Sequence, residues 1–413
     1  MARRACPAVR LPPDAEGPRA APANVILPAT SSDPGPSPVR GVYAEQRVRL
    51  ARPTASRADG PRGKQMPDGV NRQWLLVQRP SGAPERAVGP ATFRWAEGAI
   101  PSPSEGQFLV RNLWLSFDPT QLLLMSDPAD QGGIAIGGVM RGLAVSQVLQ
   151  SRHPGFRPGD LVHGHSGWED FSVLDGHGFF ETAKVPPGVS PNLAAGTLGV
   201  TGMAAYFGVV EVGRPRKGET FVVSSAAGGV GSIAGQVAKI HGLRVIGVAG
   251  GADKRDWLVR EAGFDGAIDS RSEDVGERLT ALCPEGIDIY FDNAGGAVLD
   301  EALARLRPHG RVVLCGGTSR YGQPSPPPGP SNYLALVMVN GRMEGLLARD
   351  YADRFPEAVA VMSGWLRSGQ LRSLEDVTLG LENAPAALAR LYSRANLGKQ
   401  LLKIADLGPT PSA

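Results

Sequence analysis

Three cysteines in 413 residues, Cys6, Cys283 and Cys315, are too few and too scattered for a disulfide framework, a four-cysteine zinc lobe or a CxxC redox pair. No apolar run approaches the roughly 18 residues that a membrane span needs. Arg3 and Arg4 are followed by Pro12, Pro13, Asp14 and Glu16 rather than by an apolar stretch, so no secretory signal is expected. These shortages point to a reduced, cytoplasmic setting. Surplus positive charge is also scarce beyond the first 65 residues. That stretch carries a balance of +6, and the remainder carries −3. Nucleic-acid binding by the folded part therefore has no bulk electrostatic support. Histidine offers one close pair, His163 and His165, in a stretch without cysteine, and a zinc site lacks a third ligand there.

Residues 1–65 hold eleven prolines and no sustained apolar period, and are expected to be a disordered extension. A transit peptide or an interaction arm is the alternative. Met66, which heads MPDGVNRQWLLVQRP, is a candidate for the true start. Over 71–197, short alternating runs such as WLLVQRP, FRWAEGAI, QFLVRNLWLSFDP and DLVHGHSGWEDFSVL are separated by Gly and Pro turns, as in a β-rich, barrel-like domain. Over 198–364, apolar runs alternate with helical segments: ETFVVSSA, SIAGQVAKIHG, RVIGVAG, DKRDWLVREAG, GAIDS, ERLTALC, IDIYFDN, AVLDEALARLRPHG and RVVLCGG. Such alternation predicts a doubly wound parallel α/β sheet of the Rossmann type. Residues 365–407 are expected to return to the first domain.

Ala226-Ala227-Gly228-Gly229-Val230-Gly231 stands between an expected strand and an expected helix. Glycines there permit a tight turn and let N–H groups approach a pyrophosphate, with the helix dipole behind them. The following strand ends Val248-Ala249-Gly250-Gly251, without the acid that would hold a ribose 2′-hydroxyl. Lys254 and Arg255 come next, and Lys254 suits a 2′-phosphate. A solvated helix start is its bland alternative. Asp253 reads as a helix N-cap.

The segments QWLLVQRP, LWLSFDP, GWEDFSV, GTLGVTGMAAYFG, SSAAGGVGSIAGQVAK, YFDNAGG, LCGGTSRYGQ, PPGPSN, RMEG and NLGK resemble, in the same order, the zinc-independent prostaglandin reductase and alkenal double-bond reductase family of medium-chain dehydrogenase/reductases. The resemblance spans about Asn71 to Asp406. It implies a GroES-like domain beside the Rossmann domain, NADPH as cofactor, reduction of enals and enones, and a homodimer. It places pyrophosphate on Gly229, Val230, Gly231 and Ser232, with Gly228 a further cofactor-binding candidate, and the 2′-phosphate on Lys254. Asn293 meets the cofactor ribose. Cys315, Gly316, Gly317, Thr318 and Ser319 follow the nicotinamide half, and Leu346, Leu347, Ala348 and Asn396 also touch cofactor. Two positions depart from the family pattern. Ser270, followed by Arg271, stands where the family has a Tyr near the 2′-phosphate. Thr120 replaces a Tyr that walls the substrate pocket.

Hydride addition to an enone's β-carbon builds charge on the carbonyl oxygen, and a preorganised donor there lowers the barrier. Tyr321, opening the loop after RVVLCGG, is the candidate, since a neutral phenol donates. The alternative is a Tyr that packs or orients the nicotinamide ribose. Water is the candidate source of the final proton. Trp168 either lines the pocket or fills the barrel, and Tyr206 reads as core. RMEGLLAR is a candidate edge strand pairing across a twofold axis. Two competing readings are a zinc-independent quinone reductase and an NADPH-binding protein without turnover.

Overall fold

The computed structural model describes residues 69–408, apart from 82–87, 90, 128, 130, 131, 320 and 322–327. The 1–65 extension and most of the proline run after Tyr321 lie outside the described residues.

The first part is built of strands whose side chains alternate between faces. Strands β1 (Val70–Leu76) and β2 (Phe93–Ala99) form an antiparallel hairpin. A larger sheet contains β3 (Phe108–Ser116), β4 (Arg141–Ser151), β5 (Leu161–Gly167), β6 (Phe171–Leu174) and β7 (Ala183–Lys184). Two strands from the far end of the described chain complete it, β14 (Glu375–Leu379) and β15 (Lys399–Lys403). The order is β14-β15-β3-β4-β5-β7, with β6 also on β3. Bridges from Gln73 to Glu169 and from Leu75 to Val139 tie the hairpin to this sheet. A short helix, α1 (Gln121–Ser126), leaves the end of β3 at Thr120.

The second part is a parallel six-stranded sheet in the order β10-β9-β8-β11-β12-β13. Its strands are β8 (Thr220–Ser224), β9 (Arg244–Ala249), β10 (Gly266–Asp269), β11 (Ile287–Asp292), β12 (Leu306–Leu314) and β13 (Arg342–Gly345). Helices α4 (Gly229–Ile240), α5 (Ala252–Arg260), α6 (Val275–Leu282) and α7 (Gly296–Leu303) connect them, after α2 (Pro191–Ala195) and α3 (Val200–Phe207). The outward order from β8, left to β9 and β10 and right to β11 and β12, is the doubly wound arrangement with its crevice beside β8 and β11. Both faces are buried, by Phe221, Val223 and Phe291 on one side and Val222, Ile246 and Tyr290 on the other. Continuous apolar strands are what a parallel sheet covered on both faces requires.

Two local expectations are corrected. AVLDEALARLRPHG is not helical throughout: α7 stops at Leu303, and Leu306 already pairs with Ile287 in β12. The N-cap of α5 is Gly251, with φ of 109°, and Asp253 sits inside the first turn. That φ suits glycine, and Gly251 donates its N–H to Asp269 Oδ1 at 2.6 Å, so the turn is closed without a capping side chain. Among the described residues no helix is long and apolar enough to cross a membrane.

Candidate active site

The turn from β8 to α4 is shaped by two backbone requirements. Ser225 adopts the left-handed region at φ 49°, and Gly228 donates its N–H to Ser225 O at 2.9 Å. A Cβ on Gly231 would lie 2.4 Å from Ser225 O and 2.8 Å from Ala226 Cα. Both are backbone atoms, so only glycine fits. Helix α4 has no side-chain cap and no acid in its first turn, which leaves its leading N–H groups available to an anion.

A cavity of about 1240 Å³ opens on this turn. Gly228, Gly229, Val230 and Gly231 line it, as do Lys254, Asn293, Cys315, Gly316, Thr318, Ser319, Leu346, Leu347, Ala348 and Asn396. Ser232 and Gly317 do not. Ser232 is buried, with Oγ donating to Gly229 O at 3.3 Å inside its own helix. Asn293 is held by its Nδ2 donating to Ser224 O at 2.8 Å, and Asn396 by its Nδ2 donating to Gly398 O at 2.8 Å.

At the β9 end of the cavity the wall is cationic. Lys254 Nζ donates to Arg394 O at 2.8 Å, and Arg271 and Arg394 line the cavity beside it. The Arg271 side chain crosses Gly250, where a Cβ would lie 3.0 Å from Nε. Burial, then Arg271 and Arg394, lower the Lys254 pKa. Among the described residues none of the three cations is ion-paired, whereas Arg255 turns away to Asp256 at 2.9 Å. A dianionic phosphate is the chemistry such a cluster suits. Arg394 carried no signal in the sequence, since it lies 140 residues from Lys254.

The other wall comes from the antiparallel sheet. Thr120, Phe117, Asp118 and Gln121 line the cavity, with Tyr321 and Tyr392. The Tyr321 hydroxyl lies 3.8 Å from where a Cβ on Gly316 would stand, at the end of β12. Its ring packs against the core that holds Trp168 and Phe117. Burial raises the Tyr321 pKa above 10, so the phenol is neutral at pH 7. Tyr392, absent from the sequence reading, is buried with its hydroxyl donating to Pro119 O at 3.3 Å.

Trp168 is corrected from pocket wall to core. It has no exposed surface, and its ring lies 5.3 Å from Phe93 and 5.2 Å from Phe117. Its neighbour Glu169, in the link between β5 and β6, lines the cavity instead. Burial pushes the Glu169 carboxyl up to about 7, although Asn71, Gln73 and Ser172 all donate to it. Tyr206 is buried in the core over the parallel sheet. His163 and His165 are each lowered to about 4, chiefly by burial, and are neutral imidazoles at pH 7. Among the described residues no group of three or more His, Cys, Asp or Glu side chains could hold a metal ion.

Lys399 joins the two walls. Nζ donates to Phe117 O at 2.8 Å and Asp118 Oδ1 at 2.5 Å, while its stem lies under Gly229, where a Cβ would sit 3.0 Å from Cδ. Gly398 donates its N–H to Ala227 O at 2.8 Å, so β15 docks on the glycine turn. The signal available in the sequence was only that Lys399 closes the NLGK segment.

A doubly wound sheet with a glycine turn at its crevice, facing an antiparallel domain, defines an oxidoreductase of the medium-chain type. Residues 72–182 match the family described as the N-terminal domain of oxidoreductase, and residues 229–364 the family described as zinc-binding dehydrogenase. The NADPH-dependent curcumin reductase of Escherichia coli (strain K12) is 40% identical over 342 residues, covering 81% of this chain and 97% of that protein. The 2-alkenal reductase (NADP(+)-dependent) of Nicotiana tabacum is 36% identical over 338 residues, covering 81% and 97%. The crystal structure of CurA in complex with NADPH from Vibrio vulnificus superposes with a TM-score of 0.74 at 37% identity, covering 81% of this chain and 99% of that one. The chain belongs to the prostaglandin reductase and alkenal double-bond reductase family of medium-chain dehydrogenase/reductases.

Proposed function

We propose that this protein is an NADPH-dependent reductase of the carbon–carbon double bond in α,β-unsaturated aldehydes and ketones. The observation that carries the reading is one cavity that runs from the glycine turn and the unpaired cations Lys254, Arg271 and Arg394 to the buried phenol of Tyr321. The names of the relatives, a curcumin reductase and a 2-alkenal reductase, support the same chemistry.

The glycine geometry fits a dinucleotide, because the backbone is bare where a pyrophosphate would approach. NADPH, when bound, supplies the hydride. Gly228 to Gly231 offer N–H groups to the pyrophosphate, and Ser232 and Gly317 shape the wall from behind. Lys254, with Arg271 and Arg394, takes the 2′-phosphate. Asn293, Cys315, Gly316, Thr318, Ser319, Leu346, Leu347, Ala348 and Asn396 border the rest of the cofactor. Tyr321 donates to the enone oxygen, and Thr120 leaves the substrate end roomier than a tyrosine would. We read the chain as an antiparallel catalytic domain, 71–197 with 365–407, around a nucleotide domain, 198–364. Helix Phe355–Ser368 crosses that second boundary, so Gly369 is the better joint. A second copy suits the edge strand β13, beside which Tyr333, Leu334, Val337 and Met338 are exposed. The free thiols of Cys283 and Cys315 suit a reduced cytoplasm.

NADPH oxidation is to be followed with trans-2-hexenal, with trans-3-nonen-2-one and with 1,4-benzoquinone, before and after dialysis against a chelator. The enal and enone are expected to be the better substrates, with no loss after chelation. A quinone preference would point to a quinone reductase, and no oxidation with any of them to a binding protein. Stoichiometric zinc lost together with activity would overturn the metal-free mechanism.

Lys254→Ala tests the phosphate cluster. A charge-assisted contact is worth about 1.5–3 kcal/mol, so NADPH affinity is expected to fall by one to two decades while NADH affinity holds. Equal use of NADH by the wild type would refute the cluster's assignment.

A further inference from the structure

Asp292 ends β11 with only 1% of its surface exposed. Its Oδ1 accepts from the hydroxyls of Ser224 and Tyr290, each at 3.0 Å, and from the N–H groups of Ala294 at 3.1 Å and Gly295 at 2.9 Å. Its carbonyl accepts from the N–H groups of Cys315 at 2.9 Å and Gly316 at 3.1 Å. Residues 293–296 and 315–316 line the cavity, so Asp292 braces two of its walls from behind without lining it.

Bracing alone does not call for an acid. All four side-chain bonds go to one oxygen, and the amide oxygen of an asparagine would accept the same four. What a carboxylate adds is charge, and the charge is costly here, since burial raises the Asp292 pKa against the four donors. Those donors are all neutral, so they hold the charge without cancelling it. Its field reaches the cavity at Cys315, whose thiol is pushed up to about 12, first by burial and then by Asp292. A field that disfavours an anion at that wall favours a cation. Hydride loss leaves the nicotinamide positively charged and the phosphates unchanged. We propose that the Asp292 carboxylate, set behind these two walls, favours the oxidised nicotinamide over the reduced one and so assists hydride donation, touching neither cofactor nor substrate. The inference rests on the reductase reading above, with Cys315 beside the nicotinamide half.

Calorimetry with NADP+ and NADPH tests it without turnover. Both nucleotides carry the same phosphates, so phosphate contacts and general damage to the site cancel in the ratio of their dissociation constants. Asp292→Asn keeps the accepting oxygen and removes the charge. It is expected to weaken NADP+ relative to NADPH by about three- to tenfold. Tyr290→Phe removes one neutral donor from the same brace and is expected to leave the ratio at its wild-type value. The wild type, which needs no variant, is expected to bind NADP+ at least as tightly as NADPH. A ratio unmoved in Asp292→Asn, an equal shift in Tyr290→Phe, or a wild type that binds NADP+ several times more weakly than NADPH would overturn the inference and leave the reductase reading standing. Failure of the wild type to bind either nucleotide would overturn the reductase reading, and the inference with it.

Discussion

Tyr321→Phe is expected to lower kcat by about ten- to a hundredfold and to leave KM for the enone little changed. The substitution removes one hydroxyl and keeps the ring, which packs against the antiparallel domain's core. The hydroxyl stands at the end of β12, near Gly316, and its pKa is raised by burial, so it donates without ionising. A donor that meets the charge only as it forms contributes in the transition state and not in the ground state. Removing one oxyanion donor costs about a hundred- to a thousandfold in other enzymes, and water in a pocket widened by Thr120 recovers part of that. NADPH deuterated at the transferred position is expected to show a larger isotope effect in the variant, because hydride transfer becomes slower relative to release. An unchanged kcat with a raised KM for NADPH would place Tyr321 in cofactor binding instead.

Trp168→Ala is expected to cost about 3–5 kcal/mol of stability, read as a lower urea midpoint and Tm. The side chain is wholly enclosed between Phe93 and Phe117, and its Nε1 has no hydrogen-bond partner. The loss is therefore one of packing alone, and Trp168→Phe is expected to recover most of it by leaving a smaller void. A change in substrate KM with the urea midpoint unmoved would return Trp168 to the pocket wall.

The parallel sheet was legible because strand and helix alternate with short turns, and because covered strands read as unbroken apolar runs. The glycine turn was legible for a related reason: it forms within one strand–helix connection. The Trp168 side was not. Trp168 and Glu169 lie in the link between β5 and β6, outside any strand, so no alternation rule says which of the two side chains the cavity takes. One partner of Lys254 was equally hidden. Arg394 meets it through a contact spanning 140 residues, and only folding makes them neighbours. The end of α7 was missed because Leu306 continues a helical spacing while its backbone is already committed to the ladder with Ile287.

The docking of β15 on the glycine turn sets an order of events for the growing chain. Residues 396–399 leave the ribosome after every strand of the six-stranded sheet. Until they arrive, Ala227 lacks the N–H of Gly398, and the Phe117–Asp118 wall lacks the Lys399 ammonium. The nucleotide sheet can form during synthesis, but its binding crevice is finished only by a piece made after all six of its strands. A chain stopped just short of Asn396 would keep all six parallel strands and still lack the seam that joins them to the substrate wall.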